Sequence, residues 1–271
     1  MKRGRLFTFF GLTFLISWGL GVLLVLAGEE AAAWFELPGG TNLVFTIAVW
    51  APAIAAITLT LYDEGLSGLR TFLARLGIWR VPIFWYLVIL IGLPTTQFIG
   101  FAFRPDADWS AYLASLPDPG TALLLILAAL VVGPVEEIGW RGYALPLMQR
   151  VMSPLAAAIV LGAVWAVWHL PAFFIQSAVQ SQWSFAAFFL GLLALSLIIT
   201  AMFNAAHGSI LLPVLFHWQT NNPLLPDAQP YDILPTLIFA LLIAVWKRRY
   251  LSQAAKQTAL YLTKYRSPKM L

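Results

Sequence analysis

Between Arg150 and Asp227 the sequence contains no Asp, Glu, Lys or Arg. No water-soluble domain of ordinary composition tolerates such a stretch, because its surface needs about 25% charged residues. The whole chain follows the same bias: 61% of its 271 residues are hydrophobic and 10% are charged. The apolar residues come in runs near the roughly 20-residue length that carries a helix across a bilayer. Candidate spans are Leu6–Leu26, Leu43–Leu61, Ile83–Phe103, Leu123–Arg141 or beyond, Ala156–Phe174, Phe185–Phe203, Ile210–Asn221 and Ile233–Trp246. No period-2 alternation of the kind a barrel requires is present. The expected fold class is therefore all-α: one polytopic integral-membrane domain over residues 1–271, with about eight transmembrane helices. The first run follows Met-Lys-Arg-Gly-Arg like a signal peptide, but it is long and has no clear small-residue cleavage site, so a retained helix is expected.

Basic residues set the expected orientation. With both termini cytoplasmic, fourteen Lys and Arg lie inside: the N-terminal three, Arg70, Arg75, Arg80, Arg150 and seven after Trp246. Arg104 alone lies outside, and Arg141 is intramembrane. The outer loops hold acids instead, among them Asp106, Asp108, Asp118, Asp227 and Asp232. The pI near 9.5 thus reflects topology in a plasma membrane, expected to be prokaryotic, and gives no reason to expect a nucleic-acid partner. In the loop Asp63–Pro82, Leu66, Leu69, Phe72, Leu73 and Leu76 recur at helical spacing among arginines. An amphipathic helix on the inner membrane surface is expected there, after the second span. Residues 250–271 read as a basic cytoplasmic tail able to rest on anionic lipid.

Against this background the polar residues inside the apolar runs stand out. Gly133-Pro-Val-Glu-Glu-Ile-Gly-Trp-Arg-Gly142 places two carboxylates and a guanidinium at membrane depth, where ionisable groups face a protein interior or a watery cavity. Glu137 and Arg141 are i, i+4 apart and can pair, while Glu136 is rotated about 100° away. All three histidines lie in the uncharged stretch. Taken alone, His169 reads equally as a core histidine bonded to a carbonyl, with Trp165 one turn earlier beside its ring. His217 and Asn221 share one helix face and would also serve as interhelical hydrogen-bonding groups. His207, in Asn204-Ala-Ala-His-Gly-Ser209, reads as a turn residue.

Counting the helical rise from the inner face puts Glu136 at about 21 Å depth, His169 at about 22 Å, His217 at about 13 Å and Asn221 at about 19 Å. One layer can hold all four. A carboxylate beside a histidine can take a proton from water, and a second histidine with an amide N–H can donate to a developing oxyanion. The chain has no cysteine, which removes disulfides, thiolate metal sites and a cysteine nucleophile, and no Ser-His-Asp arrangement is visible.

Three motifs in order, Glu136-Glu137-Ile-Gly-Trp-Arg141, Trp165-Ala-Val-Trp-His169 and His217-Trp-Gln-Thr-Asn221, resemble those of the CPBP intramembrane proteases. That family includes the CAAX prenyl endopeptidases and the bacteriocin-processing and immunity-type (Abi) proteins. Its pattern is EExxxR, FxxxH and HxxxN or HxxxD, and Trp165 departs from it where Phe is usual. The resemblance covers about Ala129–Asn222. It implies a glutamate-centred endopeptidase with a catalytic core of about 123–222, acting on a membrane-associated peptide or protein. Carried over, Glu136 and His169 activate water, His217 and Asn221 hold the oxyanion, and Glu137 and Arg141 support them. No cofactor is expected. If zinc were bound, Glu136, His169 and His217 would hold it, at the loss of the obvious base. The alternatives are a non-catalytic immunity or scaffold protein whose polar cluster locks helices, and a transporter, for which no inverted repeat speaks.

Overall fold

A computed structural model describes residues 2–33, 36–37, 41–176 and 178–252. Helix α1 (Lys2–Ala33) leads through the two-residue strands β1 (Glu36–Leu37) and β2 (Thr41–Asn42) into α2 (Leu43–Leu73) and a 3-10 turn, Ala74–Gly77. Helix α3 (Ile83–Leu87) passes through a π turn, Val88–Gly92, into α4 (Leu93–Ala102). Next come α5 (Trp109–Ser115), α6 (Pro119–Ala129), and α7 (Glu136–Gly139), which continues through a second π turn, Trp140–Ala144, into α8 (Leu145–Met148). The described residues end with α9 (Pro154–Trp168), two 3-10 turns (Leu170–Phe174 and Val179–Gln182), α10 (Phe185–Ala205), α11 (Leu211–Thr220), α12 (Ile233–Trp246) and α13 (Arg249–Ser252). Of the expected tail, residues 250–252 belong to α13 and residues 253–271 lie outside the described residues.

The chain is an all-α membrane protein. Five helical segments among the described residues are long and apolar enough to cross a bilayer: Gly4–Leu26, Leu43–Gly77, Ile83–Ala102, Pro154–Phe174 and Phe185–Ala205. A sixth crossing exists if α5 and α6, bent by 88° to each other, act as one. Their outer faces carry exposed leucines, isoleucines and valines, such as Leu90, Ile159 and Val160, the surface that lipid rather than water covers. Three of the expected spans look different. Leu123–Arg141 is interrupted: α6 stops at Ala129 and α7 starts at Glu136. The cause is Gly133-Pro134, since proline has no N–H to donate and disfavours a helical conformation in the residue before it. Helices α11, with 10 residues, and α12, with 14, are shorter than a bilayer.

The amphipathic stretch after the second span is helical and is separated from it by Gly65, at φ 65° inside α2. One of its arginines differs from a surface role. Arg75 is buried, and its guanidinium donates to the carbonyls of Gly142, at 2.8 Å, and Gly208, at 2.9 Å.

Helix α10 lies at the centre of the core and is buried continuously from Ile198 to Ala205. It packs on α9, where Ser196 Oγ donates to the Ala158 carbonyl at 2.8 Å, and on α12. Helix α7 packs on α2, which is lined there by Ala51, Pro52, Ala53, Ala55 and Ala56. Non-helical backbone at membrane depth must find its hydrogen bonds within the protein. At the α6 break, indoles supply them: Trp218 Nε1 donates to the Ile126 carbonyl at 2.9 Å and Trp50 Nε1 to that of Val131 at 2.9 Å.

Candidate active site

The break before α7 delivers Glu136 and Glu137 to the interior at a helix N-terminus. Glu136 is 2% exposed. Its Oε2 accepts from Trp165 Nε1 at 2.8 Å and from Trp140 Nε1 at 3.3 Å. A buried indole N–H needs an acceptor, so two tryptophans and one carboxylate satisfy one another. Glu137 is wholly buried, and its Oε1 accepts from Arg141 Nη1 at 2.9 Å and from His217 Nδ1 at 3.0 Å. The sequence alone identifies the Arg141 partner. The link to His217, eighty residues away, comes from tertiary packing. Arg141 makes its other large contact through its face, with Cζ 4.5 Å from the centre of the Trp165 ring, a cation–π arrangement that partly replaces hydrogen bonds in a dry site.

His169 caps the C-terminus of α9, where Pro171 ends the helix. Its Nδ1 lies 2.8 Å from the Trp165 carbonyl. A carbonyl only accepts, so Nδ1 carries the proton and Nε2 keeps the lone pair. The ring is held in an aromatic collar by Trp168 at 4.7 Å and Phe188 at 5.1 Å between centroids. His217, on α11, likewise commits Nδ1–H to the Glu137 carboxylate and stands 5.2 Å, edge to face, from Trp165. Asn221 follows at the C-cap of α11, its Oδ1 approached by the Thr220 hydroxyl at 3.4 Å.

Glu136, His169, His217 and Asn221 line one cavity of about 690 Å³, together with Trp165 and Gly133. Glu137 and Arg141 lie behind that wall. His207 sits apart with φ 56°, next to Gly208 at φ 78°, in the turn that ends α10. Gly133 shapes the wall in front of α11: a Cβ at this position would stand 2.1 Å from Asn221 Nδ2 and 3.0 Å from His217 Nε2. The absent side chain leaves the space into which those two atoms project. Among the described residues no three His, Asp or Glu side chains are grouped as metal ligands would be.

The contributions of Gly133, Trp140 and Trp165 were not legible as such in the sequence. The available signal was the tryptophans' N–H groups, which cannot stay unpaired in an apolar core. Trp165 in particular does more than flank a histidine, because a phenylalanine at its position would give Glu136 no donor.

Residues 118–222, the segment that builds this site, match the family described as type II CAAX prenyl endopeptidase Rce1-like. Through this segment the chain is similar to the Rce1-like family. A stretch of 129 residues is 36% identical to the CAAX prenyl protease 2 of Methanococcus maripaludis, covering 45% of this chain and 46% of that protein. The alignment therefore spans under half the length of the relative. The cluster of Glu136, Glu137, Arg141, Trp165 and His217 is a buried polar centre consistent with the catalytic site of this protease family.

Proposed function

We propose that this Rce1-like chain is an intramembrane endopeptidase that hydrolyses a peptide bond of a membrane-associated substrate. The observation that carries the reading is a carboxylate, two imidazoles and an amide around one cavity, backed by a buried carboxylate–guanidinium pair. Water bound between Glu136 and His169 Nε2 gives up a proton to this base pair as its oxygen attacks the scissile carbonyl carbon. His217, its Nδ1–H held by Glu137, and the Asn221 amide donate to the oxygen that becomes negative. Collapse of the tetrahedral species breaks the C–N bond. The proton taken from water passes to the leaving amine, and the other product is a carboxylate. Glu137 orients His217 by accepting from Nδ1, Arg141 holds Glu137 in place, and donation from Nε2 uses the imidazolium form of the ring, whose charge the Glu137 carboxylate balances.

The relative's designation suggests a prenylated, CAAX-type C-terminal peptide as the substrate class. The largely apolar lining of the cavity, with Leu24, Phe45 and Val49 among its residues, suits a lipidated peptide. The catalytic core is taken as about 123–222. In this reading the bent α5–α6 pair, the short α11 and α12 complete eight membrane segments of a prokaryotic plasma-membrane protein, with both termini cytoplasmic. The interfacial helix lies on the inner surface.

Glu136→Gln tests the proposal. It keeps the shape of the residue and can still accept from the indoles, but it removes the base, so hydrolysis of a farnesylated CAAX peptide should fall by at least about 10²-fold with the fold intact. Full hydrolysis by a stable Glu136→Gln protein would leave the cluster as a scaffold that ties α7, α9 and α11 together.

A further inference from the structure

The cavity has a second polar end, built around Asp232. This residue occupies the N-cap position of α12, where an aspartate ordinarily accepts from first-turn N–H groups. Asp232 makes no such bond. Its Oδ2 accepts instead from Gln97 Nε2 on α4 at 3.0 Å. Its Oδ1 has no hydrogen-bond partner among the described residues, although the residue is only 7% exposed. The fold makes room for it. On α4, three residues after Gln97, Gly100 approaches so closely that a Cβ there would stand 2.5 Å from Asp232 Cα.

Two further buried oxygens without a partner, Gln229 Oε1 and Thr236 Oγ1, belong to residues that line the cavity with Gln97 and Asp232. Thr236 is i+4 from Asp232, on the same face of α12. Asp227 adds a second negative charge nearby. Burial, followed by the field of Asp227, holds the Asp232 carboxyl above the usual carboxylate range, against the opposing pull of the Gln97 bond. Arg104 does not compensate it, being engaged by Asp106 and by the Asp227 carbonyl. A buried carboxylate oxygen without a donor is destabilising, and an ionisable group kept at such a position in a membrane protein marks a functional site.

We propose that this end of the cavity binds a cationic N–H donor, the ammonium or guanidinium of a basic residue in the peptide substrate, with Asp232 as its anchor. The proposal rests on the reading of the cavity as the place where a peptide substrate lies. An ammonium brings three N–H donors to a lining of acceptors. A hard divalent cation would need six or more oxygen ligands. Asn221 and Asp232 bound one loop whose residues line the cavity between them, so a peptide whose scissile carbonyl meets Asn221 extends along that loop towards Asp232.

The test is binding by full-length protein carrying Glu136→Gln, in detergent micelles, read by fluorescence anisotropy. The probes are labelled farnesylated CAAX peptides in which a single Lys is moved through the four positions before the farnesylated cysteine. A peptide with norleucine in place of Lys is the reference. At one position Lys should tighten binding by about tenfold. Adding Asp232→Asn should abolish that gain while leaving the norleucine peptide bound as before, which also reports an intact fold. Equal binding of every peptide, or binding of none, overturns the proposal, as does a lysine gain that survives Asp232→Asn. Hydrolysis of the norleucine peptide by the unmodified protein, measured in parallel, tests the endopeptidase reading separately because it involves no lysine.

Discussion

Trp165 touches four of the groups that define the site. Its indole N–H donates to Glu136, its carbonyl accepts from His169, and its ring meets Arg141 and His217. One residue thereby fixes the relative positions of groups from α7, α9 and α11. Gly133 does the opposite by leaving space. In Gly133→Ala the methyl group must displace the Asn221 amide, which is the end of a side chain at the cavity wall and can rotate away. Folding should therefore survive, while peptide hydrolysis should fall by about 10²–10³-fold, the range for loss of one oxyanion donor. The decisive measurement is a double-mutant cycle with Asn221→Ala. If Gly133 acts through Asn221, the double variant should be no slower than the slower single variant. Fully additive losses would disconnect the two.

At the scale of elements, both π turns end just before a helix that carries proline in its first turn, Pro94 in α4 and Pro146 in α8. A proline inside a helix cannot donate to the carbonyl four residues earlier and crowds it, and a π turn is one local way to absorb the clash. Four residues before Pro146 is Gly142, and the donor its carbonyl receives is Arg75 Nη1. The amphipathic segment after Gly65 is in this way fastened to the helix that carries Glu136 and Glu137. Arg75→Met should leave the carbonyls of Gly142 and Gly208 without donors, at a cost of about 1–3 kcal/mol each. Thermal unfolding in detergent should show a clearly lowered midpoint, and an unchanged midpoint would mean that the tie carries no net stability. The α6 break follows the same principle with indoles in place of the guanidinium, since Trp218 and Trp50 serve the carbonyls of Ile126 and Val131.

At the scale of the whole molecule, orientation decides which compartment the Asp232 end of the cavity faces. The charge distribution predicts cytoplasmic termini, with fourteen basic residues on that side and Arg104 alone opposite. A reporter fused after Leu271 should give a cytoplasmic signal, and one inserted beside Asp108 an external signal. An external signal from the C-terminal fusion would remove the even number of crossings and turn the loop between Asn221 and Asp232 towards the cytoplasm.

Much of the candidate site is legible in the sequence because the apolar background is so uniform. A carboxylate or imidazole in such a run is conspicuous, and i, i+4 spacing on a helix is enough to pair Glu137 with Arg141 and to align His217 with Asn221. All four residues singled out for chemistry line the same cavity. Class and rough span positions follow from the same contrast between runs and loops. Three features needed the tertiary structure. The run through Leu123–Arg141 hides a break, because hydropathy does not register that Pro134 lacks a donor, although Gly133-Pro134 is a breaker signal in its own right. Asp232 reads as one more acid in an outer loop, and only the close approach of Gly100 and Gln97 on α4 turns it inward. Glu137 gains His217 through the packing of α11 on α7. The sequence by itself determined which residues are polar at membrane depth, since composition and helical periodicity are local. Which of them share a hydrogen bond, a ring face or a cavity depends on helix rotation and on partners many residues away, and packing alone decides that.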